Sequence, residues 1–350
     1  MPDPLVSVVI PAYRSGRLLW DAISSVMAQT LKDLEIILID NNADEETKSI
    51  INQAIVTFPN KIRAIHEATQ GNCSARNRGI LESRGQYIAL LDDDDKMHPE
   101  RLKIQVDLAK NNPKASIIYA LMDVCSYEGD QIIFTGISPT VEFYVKPVMQ
   151  KHPRYKSDPP LLIMPSVMLF SKEMAIKAGC FDIQFNPCHT EDTDFCFRMW
   201  HLGPFIGVDQ SLTIYRQASP EFLARKRKGM INWFQARKNQ ALFLRKMAQQ
   251  YGEIAKDGFK EAQSQLLRET AQNILRYPDG KLVARRMLKR AIRAQTFDLK
   301  NWKWFLRTFY SSSFLSKALK QEFLESSLSK DVSNLSLLNS LYDLRTDREL

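Results

Sequence analysis

The stretch QYIALLDDDDKMHPERL, residues 86–102, runs an apolar segment straight into four consecutive aspartates. From Tyr87 to Leu91 the apolar residues follow one another without a polar alternation. Such a run reads as a short strand buried on both faces, the kind found in parallel sheets covered by helices. Two like charges ~4 Å apart repel by about 1 kcal/mol in water and ~4 kcal/mol at an effective dielectric of 20. Four at the mouth of a buried strand are costly unless a cation offsets them. A solvated acidic loop is the plain alternative, and the rest of the chain has to decide.

Working outward, residues 5–10 (LVSVVI) form another short β-branched run, ended by Pro11. Leu18, Leu19, Ala22, Ile23, Val26 and Met27 then recur at helical spacing over residues 17–29. Residues 34–40 (LEIILID) read as a second strand, 45–57 as a helix, 61–66 (KIRAIH) as a third strand and 73–83 as a helix. Pro99 suits the first turn of a helix reaching residue 111, and residues 115–122 (ASIIYALM) read as a further strand. Strands alternating with helices of this length give βαβ units and a mostly parallel sheet. Ligands of such sheets bind at the carboxyl ends of the strands. Pro11, Ala12 and Tyr13 end strand one, Asp40 ends strand two, and Asp92 to Asp95 follow strand four, so all three groups are expected to line one crevice. Residues 136–165 hold six prolines and are expected to loop over it. Residues 165–170 (PSVMLF) read as a strand, 172–178 as a short helix, and Thr190 as the opening of a helix carrying Glu191, Asp192, Asp194 and Arg198.

The 350-residue chain is 44% hydrophobic and 25% charged, the composition of a globular protein. Its start has no basic segment before an apolar core, so no signal peptide is expected, and no apolar run reaches the ~18 residues of a membrane span. Five cysteines without C-x-x-C spacing suit reduced thiols in a cytosolic setting. The net charge of +8 is uneven, −6 through residue 224 and +14 after it. Two units follow, 1–219 as an α/β domain and 220–350 as a basic, mostly helical region.

No G-x-x-x-x-G-K-[ST], G-x-G-x-x-G or G-x-S-x-G is present, which removes the main support for phosphate-loop, dinucleotide and serine-hydrolase readings. The five histidines show no metal-ligand spacing. Asp92-x-Asp94 differs because of its place. Mg²⁺ and Mn²⁺ take carboxylate oxygens, commonly one or two together with substrate phosphates. A metal held so neutralises a departing diphosphate. Asp93 and Asp94 point to opposite sides of an extended chain, which leaves Asp93 and Asp95 open to a role in a solvated turn.

The blocks VSVVIPAYRSGRLLWDAISSVMAQT, ILIDNNADEET, GNCSARNRGILESRGQYIALLDDDDKMHPERL and EDTDFCFR, in that order over residues 5–217, resemble the family 2 glycosyltransferases. The resemblance implies a GT-A fold, a Rossmann-like sheet flanked by helices. It implies an inverting transfer of a sugar from a nucleotide diphosphate sugar, foremost a UDP-sugar, to an acceptor hydroxyl. Carried over by position, Pro11, Ala12 and Tyr13 cradle the nucleotide, Asp40 accepts from the base, and Arg76 sits by the nucleotide or diphosphate. Asp94 is the main ligand of a divalent Mn²⁺ or Mg²⁺, Asp92 lies near the ribose or metal, and Asp93 joins the nucleotide-sugar site. Asp192 is the general base and Glu191 orients the acceptor. Asp40-Asn41-Asn42-Ala43 stands where the family usually has Asp-Asp-Gly-Ser, and Cys188-His189-Thr190 where it has glycines. No histidine follows His201, so the further metal contact of some members is missing or replaced.

The acceptor implied is a growing surface glycan or a lipid-linked saccharide, at the cytoplasmic face of a membrane. Residues 281–324 alternate basic and apolar side chains and include Trp302, Trp304, Phe305, Phe309 and Phe314. They read as helices that either pack against each other or seat on an anionic membrane surface. No nucleic-acid motif accompanies them. Rival readings are a non-catalytic carbohydrate- or partner-binding protein of the same fold and a sugar-phosphate nucleotidyltransferase. PAYRSG after strand one lacks the Gly-rich loop of the latter.

Overall fold

The computed structural model describes residues 3–126, 132–138, 162–217, 229–275 and 280–309. They fall into two compact units, the first reaching residue 230 and the second beginning at 231. Most of the expected loop at 136–165, and residues 310–324 of the tail, lie outside the described residues.

The first unit is organised by β1 (Val6–Ala12), whose side chains are all buried except Pro11. It lies between β2 (Leu34–Asp40) and β4 (Tyr87–Leu90), parallel to both, and β2 pairs in parallel with β3 (Ile62–His66). Register fixes the geometry of the strand ends. Ala12 stands beside Asp40 and Asp40 beside His66. Leu91, just before the aspartates, donates its backbone N–H to the Val9 carbonyl. The three polar groups read from the sequence therefore emerge at one edge of the sheet.

Beyond β4 the sheet is mixed, with antiparallel pairs added to the mostly parallel arrangement expected. β8 (Met168–Ser171) pairs antiparallel with both β4 and β6 (Ile117–Ser126). β6 pairs antiparallel with β7 (Ile132–Ile137) and parallel with β9 (Phe205–Gln217), whose inner part also meets the two-residue β5 (Lys96–Met97). The order is β3-β2-β1-β4-β8-β6-β9-β5, with β7 on β6. Residues 165–170 are strand only in part, since Pro165–Val167 form a 3-10 turn before β8.

Helices cover the sheet. α1 (Arg17–Met27) buries Leu19, Ala22, Ile23 and Val26, one face at helical spacing. α2 (Glu45–Thr57) is capped by Asp44, which accepts from the Thr47 N–H. α3 (Asn72–Glu82) lies so close to β1 that a Cβ at Gly79 would sit 2.2 Å from Val9 Cγ1. α4 (Arg101–Asn111) begins two residues after Pro99, whose carbonyl accepts from the Thr30 N–H. α5 (Lys172–Lys177) is capped by Ser171. α6 (Glu191–Leu202) starts after Thr190 as expected, but Thr190 is left-handed (φ 73°) and its hydroxyl makes no capping bond.

In the second unit, α7 (Gly229–Ile274), α8 (Gly280–Ala294) and α9 (Leu299–Arg307) are the long helices expected of the basic region. Buried Asn301 ties them together, its Nδ2 donating to Ser264 Oγ (2.8 Å) and the Ala291 carbonyl (3.2 Å). Trp304 and Phe305 are half-buried, whereas Trp302 and Phe309 are exposed. Among the described residues no helix is long and apolar enough to cross a membrane. All five cysteines are free thiols.

Gly79 generates a test of the α3–β1 contact. Gly79→Ala is expected to lower the urea midpoint by an amount worth ~1–3 kcal/mol, the range for overpacking a core. Combining it with Val9→Ala, which removes the clashing methyls, is expected to give less loss than the two single changes summed.

Candidate active site

The four aspartates divide into two kinds. Asp92 receives the Ser166 hydroxyl at its backbone as acceptor for its own N–H (2.9 Å), and the turn closes with the Asp95 N–H on the Asp92 carbonyl (3.1 Å). Asp95 is fully buried and its Oδ1 accepts the Arg216 N–H (2.8 Å). Asp93 Oδ2 accepts the Tyr13 N–H (3.0 Å), which fastens the end of β1 to the acidic turn. Asp95 is thus not a solvated turn residue, and Asp93, though partly exposed, is tied to β1; both hold the turn in place. Asp92 and Asp94 are both partly exposed.

Holding the turn this way concentrates negative charge. Burial, then the Asp94 charge, pushes the Asp93 carboxyl up to about 7. Asp95 is raised well above the usual carboxylate range by burial and by Asp94 and Asp92. Beneath the turn, buried Arg101 donates to the Leu90 and Met168 carbonyls. Burial lowers its guanidinium to about 9 against the opposing pull of Asp95. The Tyr215 phenol is raised as well, by burial first and then by Asp95, Asp92, Asp94 and Asp192. One tyrosine therefore feels both acidic groups.

Arg76 joins those groups. It is 2% exposed, its Nη2 donating to Asp92 Oδ1 (2.8 Å) and its Nη1 to Glu191 Oε1 (3.1 Å). Burial opposes the charged guanidinium, but Asp92 and Glu191 outweigh it and the pKa is raised. Asn72 Nδ2 also reaches Glu191 Oε1, at 3.4 Å. Asp192, next to Glu191, is partly exposed and its Oδ1 accepts the Thr193 N–H (2.7 Å). Asp194 is occupied otherwise, clamping Arg198 (2.6 and 2.9 Å), whose Nη1 donates to the Cys180 carbonyl.

On the other flank, Tyr13 is 39% exposed with the Arg14 guanidinium 4.8 Å over its ring. Asp40 Oδ1 accepts the Ala43 N–H (2.8 Å), and Oδ2 lies 3.5 Å from His66 Nδ1. Asn41 shows what the altered turn after β2 does. Its Nδ2 donates to the Glu67 and Thr69 carbonyls (both 2.8 Å) while its Oδ1 accepts the Gly71 N–H (2.8 Å). An ionised aspartate has no donor for the first two bonds. Across α3, Asn186 Oδ1 accepts the Cys73 N–H and its Nδ2 donates to Ser74 Oγ. Gly71 (φ 135°) leaves room for it, since a Cβ there would meet Asn186 Oδ1 at 2.3 Å. His189 and Thr190, which stand where glycines were expected, still take left-handed backbone (φ 75° and 73°). That conformation costs roughly 1–2 kcal/mol for a residue with a Cβ, so the loop is held by its bonds to α3.

Sequence reading missed Ser166, Asn186, Tyr215 and Arg216. The last two sit on β9, for which alternation in SLTIYRQ (residues 211–217) was the available signal. Asp209 and Gln210 obscure it, because the β6–β9 register shifts there, from Ala120 opposite Val208 to Leu121 opposite Ser211.

Removing one partner of a buried ion pair costs about 3–5 kcal/mol. Arg76→Met is expected to destabilise the protein by an amount in that range in urea titration. Adding Glu191→Gln, which removes the stranded charge, is expected to recover part of the loss; strict additivity of the two changes would mean the pair is not coupled.

Comparison with known proteins shows what the chain is similar to. Residues 7–174 match the model of Glycosyl transferase family 2. An uncharacterized glycosyltransferase of Rickettsia prowazekii is 30% identical over 208 residues, 57% of this chain and 60% of that protein. The chondroitin synthase of Escherichia coli is 30% identical over 129 residues, 37% of this chain and 19% of that one. The chain thus spans at most about 60% of the length of these relatives. Among solved structures, Staphylococcus aureus TarS 1–349 in complex with UDP-GlcNAc superposes with a TM-score of 0.58 over 93% of both chains at 11% identity, a likeness of fold. Over residues 7–174 the chain is thus similar to the family 2 glycosyltransferases, and its fold is the GT-A fold.

Proposed function

We propose that the protein is a metal-dependent, inverting glycosyltransferase that moves a sugar from a nucleoside diphosphate sugar, a UDP-sugar foremost, to a hydroxyl of a glycan or lipid-linked saccharide. Its setting is the construction of an envelope polysaccharide at the cytoplasmic face of a membrane. The observation that supports this most is the single guanidinium of Arg76 holding Asp92 of the acidic turn and Glu191 of the α6 start together. An acid group for the donor and another for the acceptor then share one crevice. That TarS was solved with UDP-GlcNAc is a fact about that protein, and it supports a UDP-sugar as the first donor to try.

In this reading Pro11, Ala12, Tyr13 and Asp40 receive the nucleotide, with the half-exposed Tyr13 ring against the base and Asp40 accepting from its N–H. Asp93 acts by fixing Tyr13 through its backbone. The metal site is tested by the donor set. Among the described residues no cluster of three or more His, Cys, Asp or Glu could hold a metal alone. Asp92 and Asp94 fit instead the pattern of one or two carboxylates completed by substrate phosphates. Crowded carboxylates at the turn, seen in the raised Asp93 and Asp95, favour a cation there. Mn²⁺ or Mg²⁺ bound so would supply charge neutralisation to the departing diphosphate.

Asp192 takes the proton of the acceptor hydroxyl. An ordinary carboxylate is a weak base at neutral pH, so the transfer runs late, as the hydroxyl attacks the anomeric carbon and the diphosphate leaves. Glu191, paired with Arg76, orients the acceptor. Arg76 was expected beside the diphosphate; with both terminal nitrogens on carboxylates it acts here by positioning them.

Two variants test the assignment. Asp94→Ala is expected to bind UDP at least tenfold more weakly than wild type in the presence of Mn²⁺, with no gain from the metal, in calorimetric titration. An unchanged Mn²⁺ dependence would remove Asp94 as a ligand. Asp192→Asn is expected to bind UDP-sugar normally and to transfer ~10²–10⁴-fold more slowly, the usual worth of a positioned base. Equal turnover in a radiolabelled-sugar assay would show that another group takes the proton.

A further inference from the structure

α9 has two unlike faces. Asn301, and Thr308 just beyond the helix, are buried among the other helices. Leu299, Trp302, Leu306 and Phe309 recur at alternating three- and four-residue spacing and are 79%, 40%, 57% and 60% exposed. Residues at that spacing share one helix face, so the apolar side chains form a continuous ridge. Phe297, 95% exposed, extends it at the approach to the helix. Exposed Lys300 and Lys303 flank the ridge.

α8 repeats the arrangement in basic form. Its inner face is Val283, Ala284, Met287, Leu288, Ala291 and Ile292. Its outer positions Arg286, Lys289 and Arg293 are exposed, together with Leu282. Residues 280–309 hold nine Lys or Arg and a single acidic residue, Asp298. That one aspartate is already engaged, accepting from Arg268 and capping α9 at the Lys300 N–H.

We propose that α8 and α9 seat on an anionic lipid surface, with Leu299, Trp302, Leu306 and Phe309 entering the acyl boundary and Lys289, Arg293, Lys300 and Lys303 meeting the headgroups. Charge complementarity selects the occupant: a surface with almost no acidic residue calls for a dense array of negative charge. The apolar side chains select lipid over nucleic acid, because Leu282, Leu299 and Leu306 have no flat face on which a base could stack. An amphipathic helix with basic flanks and an aromatic-aliphatic ridge lies in the plane of a bilayer interface. The sequence expectation of Trp304 and Phe305 as part of the contact is narrowed, since both are half-buried in the helical unit. The inference gives the membrane setting proposed above a contact surface. Its test uses no nucleotide, so the two stand or fall separately.

The experiment is co-sedimentation of the full chain with vesicles of phosphatidylcholine, alone or mixed with phosphatidylglycerol. The mixed vesicles are expected to recover the protein at least tenfold better, and the advantage to shrink as salt rises and the Debye length falls from ~10 Å at 0.1 M to ~3 Å at 1 M. Exposed side chains can be changed with little effect on folding. Leu299→Ser with Leu306→Ser, and separately Lys289→Gln with Arg293→Gln, Lys300→Gln and Lys303→Gln, are each expected to cut recovery at least tenfold at unchanged far-ultraviolet circular dichroism. Equal recovery on both vesicles, recovery on neither, or competition by single-stranded RNA at lower concentration than anionic lipid would overturn the proposal. So would unaltered recovery of the serine variant, since the ridge would then be occupied by something other than lipid.

Discussion

A guanidinium buried between two carboxylates is stable only if both remain in place, and Arg76 is such a group. Its position ties the acidic turn after β4 to the start of α6, segments far apart in the chain. The same helix that carries it reaches both flanks of the site. At its amino end, Asn41 grips the 67–71 loop on the β2 side while Asn186 grips residues 73 and 74 from the other. Along its length, Gly79 lets α3 lie against β1 closely enough to bring Arg76 level with the strand ends. Displacing α3 would therefore loosen the two acidic groups together.

The acidic turn works because its four carboxylates are unequal. Two are spent on backbone N–H groups, Asp93 on Tyr13 and Asp95 on Arg216, and these fix the turn against β1 and β9. Fixing them in partly dry surroundings, beside the negative charge of Asp92 and Asp94 at the crevice, raises both pKa values. Arg76 offsets part of that charge from one side. The remainder suits a divalent cation arriving with a diphosphate, which brings both the countercharge and the missing ligands. In the proposed reading, the energetic cost that made the run conspicuous in the sequence serves to select a charged ligand.

What the sequence made legible was local. Residues 34–40 and 45–57 were readable to the residue, because a short isoleucine- and leucine-rich run and an aspartate-capped helix each carry their own signal. The convergence of Ala12, Asp40 and Asp92 followed from parallel topology alone. Direction was not legible for β8, since a short apolar run pairs as well antiparallel as parallel, and the sheet turned out mixed. β9 was hidden by the Asp209–Gln210 interruption, and with it Tyr215, whose phenol is raised by burial and by the charges of both acidic groups. Nor could spacing show that Arg76 faces Glu191, since that pairing exists only once α3 and α6 have packed.

The account's central claim is that the acidic turn and the carboxylates held by Arg76 form one site for a metal-bound nucleoside diphosphate. Electron paramagnetic resonance of Mn²⁺ titrated into the wild-type protein, with and without UDP, tests it most directly. The account predicts weak binding of Mn²⁺ alone and loss of the free-ion signal at one equivalent per chain when UDP is present. Identical Mn²⁺ spectra of UDP with and without the protein would contradict it.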